Sequence, residues 1–302
     1  MKKTFYSNGK LILTAEYLVL DGAKALAIPT KYGQYLEVED ISEKVLLWKS
    51  LDEHDMVWFE AIFNISNDTL ELLTEKNGIS ETLLLILQET KKLNFNFLGE
   101  THGYQITTKL NFSRNWGLGT SSTLISNIAT WAKVNAFSLL KNSFGGSGYD
   151  IACALHHKPI LYSNKEHPPI TDEVPLDWSF KEELFFVYLN KKQDSKQAIN
   201  NYKNLNTDKK EAIAKVNILT NALIFSKTLS EFENLLQAHE EILSNLLHLP
   251  MVKQTYFKDY SGSIKSLGAW GGDFVLATRK DAIEYFPTKG YTIVIPFSTM
   301  LK

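Results

Sequence analysis

The chain is 302 residues long, 44% hydrophobic and 22% charged, with a net charge of −2. That length supports one large domain or two medium ones with a full apolar core, and the slight acidity excludes the basic footprint of a nucleic-acid binder. Cys153 is the single cysteine, so neither an internal disulfide nor a thiolate metal cluster can form, which fits a reducing compartment. No run of about 18 apolar residues offers a membrane span. The start carries two lysines but no apolar h-region, so no secretory leader is expected and the expected location is cytoplasmic.

In chain order, residues 5–39 open with Asn8-Gly9-Lys10-Leu11-Ile12-Leu13-Thr14-Ala15-Glu16-Tyr17. Leu11, Leu13 and residues 17–20 read as buried strand or short helix, ending in the turn Asp21-Gly22. Lys10 and Glu16 are the charged residues of this apolar stretch. A buried charge is costly unless it is paired or used; the alternative is that both side chains reach solvent from the rim. Residues 34–39, 45–49 and 56–64 predict a β-meander. Residues 70–93 carry leucines at helical spacing and predict a mostly helical segment broken near Asn77-Gly78.

The most informative stretch is residues 113–122. Upstream, Tyr104, Ile106, Leu110 and Phe112 alternate with polar residues, the pattern of a half-buried strand. Then come Gly117-Leu118-Gly119-Thr120-Ser121-Ser122 and a helix bearing Leu124, Ile125, Ile128 and Ala132. A glycine turn feeding a helix N-terminus brings backbone N–H groups and the positive dipole end to one place, which suits phosphate. The alternative is a helix capped by Thr120 or Ser121. From Thr101 to Tyr149 there is no acid, where the chain's average composition would place about five or six, and Lys109, Arg114, Lys133 and Lys141 lie in that window. This favours a bound polyanion.

A second glycine cluster, Gly145-Gly146-Ser147-Gly148-Tyr149-Asp150, leads into another helix. Asp150 reads either as its N-cap or as a catalytic acid. His156 and His157 follow as partners of the helix C-terminus. Residues 164–183 hold prolines and acids and form a polar connector. A strand over 184–189 precedes a helix opened by Asp194 or Ser195. Amphipathic helices are predicted over 208–228 and 230–248. A third glycine cluster, Lys265-Ser266-Leu267-Gly268-Ala269-Trp270-Gly271-Gly272-Asp273, leads into a strand over 274–278. A helix over 281–286 and a strand over 291–297 close a small α+β domain.

Taken together and in this order, these stretches resemble the GHMP kinases, closest to the mevalonate-pathway members. The family's Pro-Gly-Lys-x-x-Leu-x-Gly-Glu-Tyr/His-x-Val is similar to residues 8–19, its Gly-Leu-Gly-Ser-Ser-Ala to residues 117–122, its Ser-Gly-x-Asp to residues 147–150, and Lys-x-x-Gly-Ala-Gly-Gly-Gly-Asp to residues 265–273. Ala15 stands where the family has glycine, Trp270 replaces another glycine, and no acid in the 101–149 window matches the magnesium-binding glutamate of mevalonate kinases.

The resemblance implies an α+β, two-domain GHMP fold. It has a nucleotide-binding domain over 1–165 with a mixed sheet and the phosphate loop, and a ferredoxin-like α+β domain over 166–302. It implies ATP and Mg²⁺, with Gly117, Leu118, Gly119, Thr120, Ser121 and Ser122 on the phosphates and the Ser121 hydroxyl on the metal. Gly268, Gly271 and Gly272 would close over the phosphates. Lys10 would stabilise the transferring phosphoryl group, and Asp150, kept ionised by Lys10, would take the acceptor's proton. Glu16 would orient Lys10 or contact substrate. Ser147, Gly148, Ser195, Lys196 and Asp273 would bind the acceptor, with Lys192 and Arg114 as further anion contacts.

The implied reaction is transfer of the γ-phosphoryl group to a hydroxyl or phosphate of a small acidic metabolite, mevalonate or phosphomevalonate first. A diphosphomevalonate decarboxylase-like lyase and a non-catalytic binding protein are the alternatives. Expected partners are ATP and a small-molecule acceptor, without nucleic acid or membrane; a homodimer stays open.

Overall fold

A computed structural model describes residues 2–66, 69–99, 102–193 and 195–302, apart from the side chains of Ser195 and Lys196. In chain order its elements are β1 (Lys3–Ile12), β2 (Ala25–Ile41), β3 (Val45–Leu51), β4 (Val57–Ile65), β5 (Leu70–Leu72), α1 (Gly78–Leu93), β6 (Gly103–Leu110), α2 (Thr120–Ala132), α3 (Ala136–Ser143) and α4 (Tyr149–Leu155). They continue with β7 (Ile160–Ser163), β8 (Ile170–Glu173), β9 (Leu184–Tyr188), α5 (Ser195–Lys203), α6 (Lys210–Ile224), α7 (Leu229–Leu247), α8 (Val252–Tyr256), β10 (Ile264–Ser266), β11 (Phe274–Thr278), α9 (Ala282–Thr288), β12 (Val294–Pro296) and α10 (Phe297–Met300). The fold is α+β. Among the described residues no helix is long and apolar enough to cross a membrane.

The chain divides into two compact units. The first comprises Met1–Gly9, Tyr32–Arg114 and Gly119–Leu155. Its strands run β5-β4-β3-β6-β2, with β3 parallel to β6 and the other pairs antiparallel. The alternation in β6 buries Ile106, Thr108 and Leu110 on one face. That face joins Leu36, Val38, Leu46 and Trp48 from the neighbouring strands. Ile86 and Leu87 of α1, Ile125, Ile128 and Ala129 of α2, and Ile151 of α4 complete this core. Each such Leu, Ile or Val side chain contributes about 1.5–3 kcal/mol through removal from water.

Two expectations are corrected here. Leu70–Leu72 is a strand, paired through Phe63↔Leu72 and Ile65↔Leu70 with β4; α1 begins only after Asn77, whose side chain accepts the N–H groups of Ile79 and Ser80. The leucine spacing continues across that cap, so periodicity alone could not find the boundary. The meander is also interrupted: β3 pairs with β4 as expected, but its other neighbour is β6, not β2.

The second unit comprises Lys10–Lys31, Asn115–Leu118 and His156–Lys302. Here Ala25–Ala27 of β2 pairs with β7, and β7 with β8, which falls inside the expected connector. A separate antiparallel sheet runs β10-β11-β9-β12. β9 is its centre, and all five of its residues are buried. Phe185 and Val187 pack with Phe257, Val275, Ala277, Ala282 and Phe286. This sheet fixes what lies at its ends, the turn after β9 and the glycine turn before β11.

Candidate active site

Lys10, near the start of the first motif, is fastened twice to the Gly117–Leu118 segment within the second unit. Its backbone N–H donates to the carbonyl of Leu118 at 3.0 Å, and its ammonium donates to the carbonyl of Gly117 at 3.1 Å. That segment is held in turn by the sheet. The Tyr188 hydroxyl donates to the Asn115 carbonyl at 3.0 Å, and Trp116 meets Phe274 edge-on with ring centroids 5.6 Å apart. Gly117 has φ 65°, and a Cβ there would lie 2.3 Å from Asp273 Oδ2. No side chain fits at that position.

Asp273 therefore presses its carboxylate onto the loop. Its N–H donates to the carbonyl of Lys191 at 2.7 Å, and its Oδ1 accepts from the N–H of Gln193 at 3.3 Å. Burial raises its pKa, opposed first by the charge of Lys10 and further by the Gln193 N–H and Lys192. Lys10, Gly117, Leu118 and Asp273 thus come together in one unit, joined by the turn that holds Gly271 and Gly272. Gly268 starts the same turn with φ 65°.

In the first unit, α2 begins at Thr120 behind Gly119, whose left-handed conformation (φ 87°, ψ 48°) makes it the N-cap. No side chain caps the helix, and its first turn has no acid. The capping alternative for Thr120 or Ser121 is therefore not what forms. The Ser122 hydroxyl donates to the Gly119 carbonyl at 2.8 Å and that of Thr123 to Gln34 Oε1 at 2.8 Å, whereas Ser121 is exposed. The first-turn N–H donors have no side-chain acceptor, which is the condition for an anion site.

Asp150 is the second residue of α4, past the cap position, and Gly148 supplies the first helical carbonyl, accepting from the N–H of Ala152 at 3.0 Å. Its Oδ1 is buried without a hydrogen-bond partner. An unpaired buried carboxylate oxygen is costly, and a ligand hydroxyl or a hard cation would relieve it. Ser147 is half-buried beside it in sequence, Gly148 is buried, and α4 packs against α2.

Other expected residues fall elsewhere. Glu16 is 1% exposed and bonds Lys265, not Lys10. Arg114 lies over the Trp58 ring at 3.6 Å from its centroid. Ser195 and Lys196 open α5, but their side chains, like Asp194, lie outside the described residues; Lys192 is exposed.

A cavity of about 430 Å³ in the second unit is lined by Tyr17, Lys191, Gln193, Tyr202, Trp270 and Gly271, among others. Tyr17 and Tyr202 stack with centroids 5.4 Å apart, and Tyr202 bonds Asp21. Trp270, the residue that departs from the glycine pattern, is a wall of this cavity; its indole N–H donates to the Pro250 carbonyl at 3.0 Å. Tyr202 and Gln193 carry no motif that sequence reading could have used, because folding alone brings them to Tyr17 and the third glycine turn.

Among the described residues no three His, Cys, Asp or Glu side chains cluster as a metal site. A nucleotide-bound Mg²⁺ needs less than that, since it keeps waters and phosphate oxygens and takes one or two protein oxygens. The exposed hydroxyl of Ser121 is a hard donor of that kind.

The fold is that of the GHMP kinases, the class to which the similar solved structures belong. Methanococcus jannaschii mevalonate kinase matches at 15% identity and TM-score 0.68, over 96% of this chain and 94% of that one. Streptococcus pneumoniae phosphomevalonate kinase, solved with phosphomevalonate and AMPPNP, matches at 17% identity and TM-score 0.68, over 95% of each chain. Lactococcus lactis galactokinase with galactose matches at 12% identity and TM-score 0.68, over 95% and 88%. No family model matches the chain, and no curated protein matches it in sequence.

Proposed function

We propose that the chain is an ATP-dependent small-molecule kinase that phosphorylates mevalonate or phosphomevalonate. The observation carrying this reading is the uncapped, acid-free N-terminus of α2 behind two left-handed glycines, in a fold whose similar solved members are kinases with small acceptors. Phosphoryl transfer asks a protein mainly for positioning and charge stabilisation. N–H groups of residues 119–122 bind the phosphates, with the positive end of the helix behind them. Lys10, fixed by the Gly117 carbonyl, meets the charge of the transferring group. Bound Mg²⁺ would add neutralisation of phosphate charge, with the Ser121 hydroxyl as the protein group to hold it.

As the acceptor oxygen forms its bond to the γ-phosphorus and the bond to ADP breaks, a hydroxyl acceptor must lose a proton. Asp150 receives it at Oδ1, the atom that has no partner in the protein. A phosphate acceptor is already ionised at neutral pH and needs no such base, so this atom favours a hydroxyl. The Tyr17–Trp270 cavity of the second unit is large enough for a small organic acid and has Lys191 among its lining residues.

The test is steady-state kinetics of Lys10→Met. The reading expects kcat to fall at least a hundredfold; loss in KM alone, with kcat intact, would make Lys10 a uniform binder with no part in the transition state.

A further inference from the structure

Four ionisable side chains of the second unit are buried and serve none of the roles above: Glu16, His239, Glu240 and Lys265. The Lys265 ammonium, fully out of solvent, donates to Glu16 Oε1 at 2.5 Å, to Glu240 Oε1 at 3.2 Å and to the Ser266 carbonyl at 2.7 Å. Glu240 in turn accepts the N–H of Ser266 at 3.1 Å and its hydroxyl at 3.2 Å. Next to it on α7, His239 Nε2 accepts the N–H of Ala15 at 3.0 Å. That bond requires a neutral imidazole with its proton on Nδ1. Burial, then the charge of Lys265, holds its pKa well below the usual value. Farther along, the N–H of Trp270 donates to the Tyr17 hydroxyl at 3.0 Å.

These bonds join two segments that the kinase reading places at the site. One is the turn directly after Lys10, where Ala15 and Tyr17 adopt φ 63° and 60°, a region non-glycine residues hold only when their surroundings impose it. The other is β10 with the glycine turn that follows it. α7 reaches both. With neutral His239, the cluster holds two carboxyl groups and one ammonium, and Glu16 Oε2 and His239 Nδ1 lack hydrogen-bond partners. Such a group is a poor source of net stability compared with apolar side chains of equal volume. Its asset is a single geometry.

We propose that Glu16, His239, Glu240 and Lys265 are positioning residues that lock the turn after Lys10 to the third glycine turn, so that both present one fixed arrangement to the nucleotide and acceptor. This rests on the kinase reading for its consequence, but the lock itself can be measured without it.

The experiment compares wild type with the charge-free triple variant Glu16→Gln, Glu240→Gln, Lys265→Met, using hydrogen exchange and steady-state kinetics. Exchange is expected to quicken at least tenfold in residues 14–18 and 266–272 while β9 and β11 stay protected. In the same variant kcat should fall at least tenfold with the KM for ATP within threefold. Glu16→Gln alone keeps volume and one hydrogen bond to Lys265, and should show the same pattern more weakly. If the triple variant does not fold, the single variant decides. Unchanged exchange in both segments overturns the lock; changed exchange with unchanged kcat overturns its catalytic consequence. Quickened exchange in the variant beside a wild type that releases no ADP leaves the lock standing and removes the kinase reading.

Discussion

Asp150 and Glu16 are acids with different surroundings. Each keeps one buried oxygen without a partner, but the other oxygen of Glu16 is tied to the Lys265 ammonium. General-base assistance is worth about 10²–10⁴ in rate, so Asp150→Asn should lower kcat by that range toward a hydroxyl acceptor while ATP still binds. A loss under tenfold, some 1.4 kcal/mol of barrier, would remove Asp150 from proton transfer. Glu16 predicts a stability effect. Burial pushes its carboxyl up from 4.5 to about 7, with Lys265 opposing. The folded state therefore holds this proton more tightly than the unfolded one, and stability falls as pH rises from about 4.5 to about 7, then levels. Glu16→Gln should flatten that part of the Tm–pH curve; an unchanged slope contradicts the buried-carboxyl account.

Among elements, α2 is where the functional reading and helix physics coincide. Asp is among the best N-caps, and Asp tolerates the left-handed conformation that Gly119 adopts. Gly119→Asp would place a negative charge where phosphate is expected, at a cost of about 1–2 kcal/mol for the left-handed backbone. The expected outcome is a Tm within a few degrees of wild type and ATP binding weakened at least tenfold. Equal affinity would mean that the phosphates lie elsewhere. The strand–turn–helix around this loop was legible because alternation in β6 and helical spacing in α2 are local signals. Leu70–Leu72 was not, since its strand pairing with β4 is decided by Phe63 and Ile65 in another part of the chain. The place of β3 beside β6 is likewise set by sheet topology, which spacing does not encode.

On the scale of the whole molecule, the three glycine turns were visible as motifs, but their supports were not. Lys265 lies 249 residues from Glu16, and nothing in either segment names the other. The charges at Lys10 and Glu16 stood out only as anomalies in an apolar stretch. Folding separates their fates, Lys10 onto the Gly117 carbonyl and Glu16 into the interior. The same holds for the cavity, whose walls Tyr17, Tyr202 and Trp270 come from three distant segments.

The central claim is phosphoryl transfer to a small acceptor. It is tested most directly by ADP release with product analysis, using mevalonate, mevalonate 5-phosphate, homoserine and galactose in turn, with Asp150→Ala as the blank. The expected result is acceptor-dependent ADP release with mevalonate or its 5-phosphate, one phosphorylated product per ADP, and loss of that release from mevalonate in the blank. Release of CO₂ with ADP and phosphate, or no acceptor-dependent ADP release from any of the four, would contradict it.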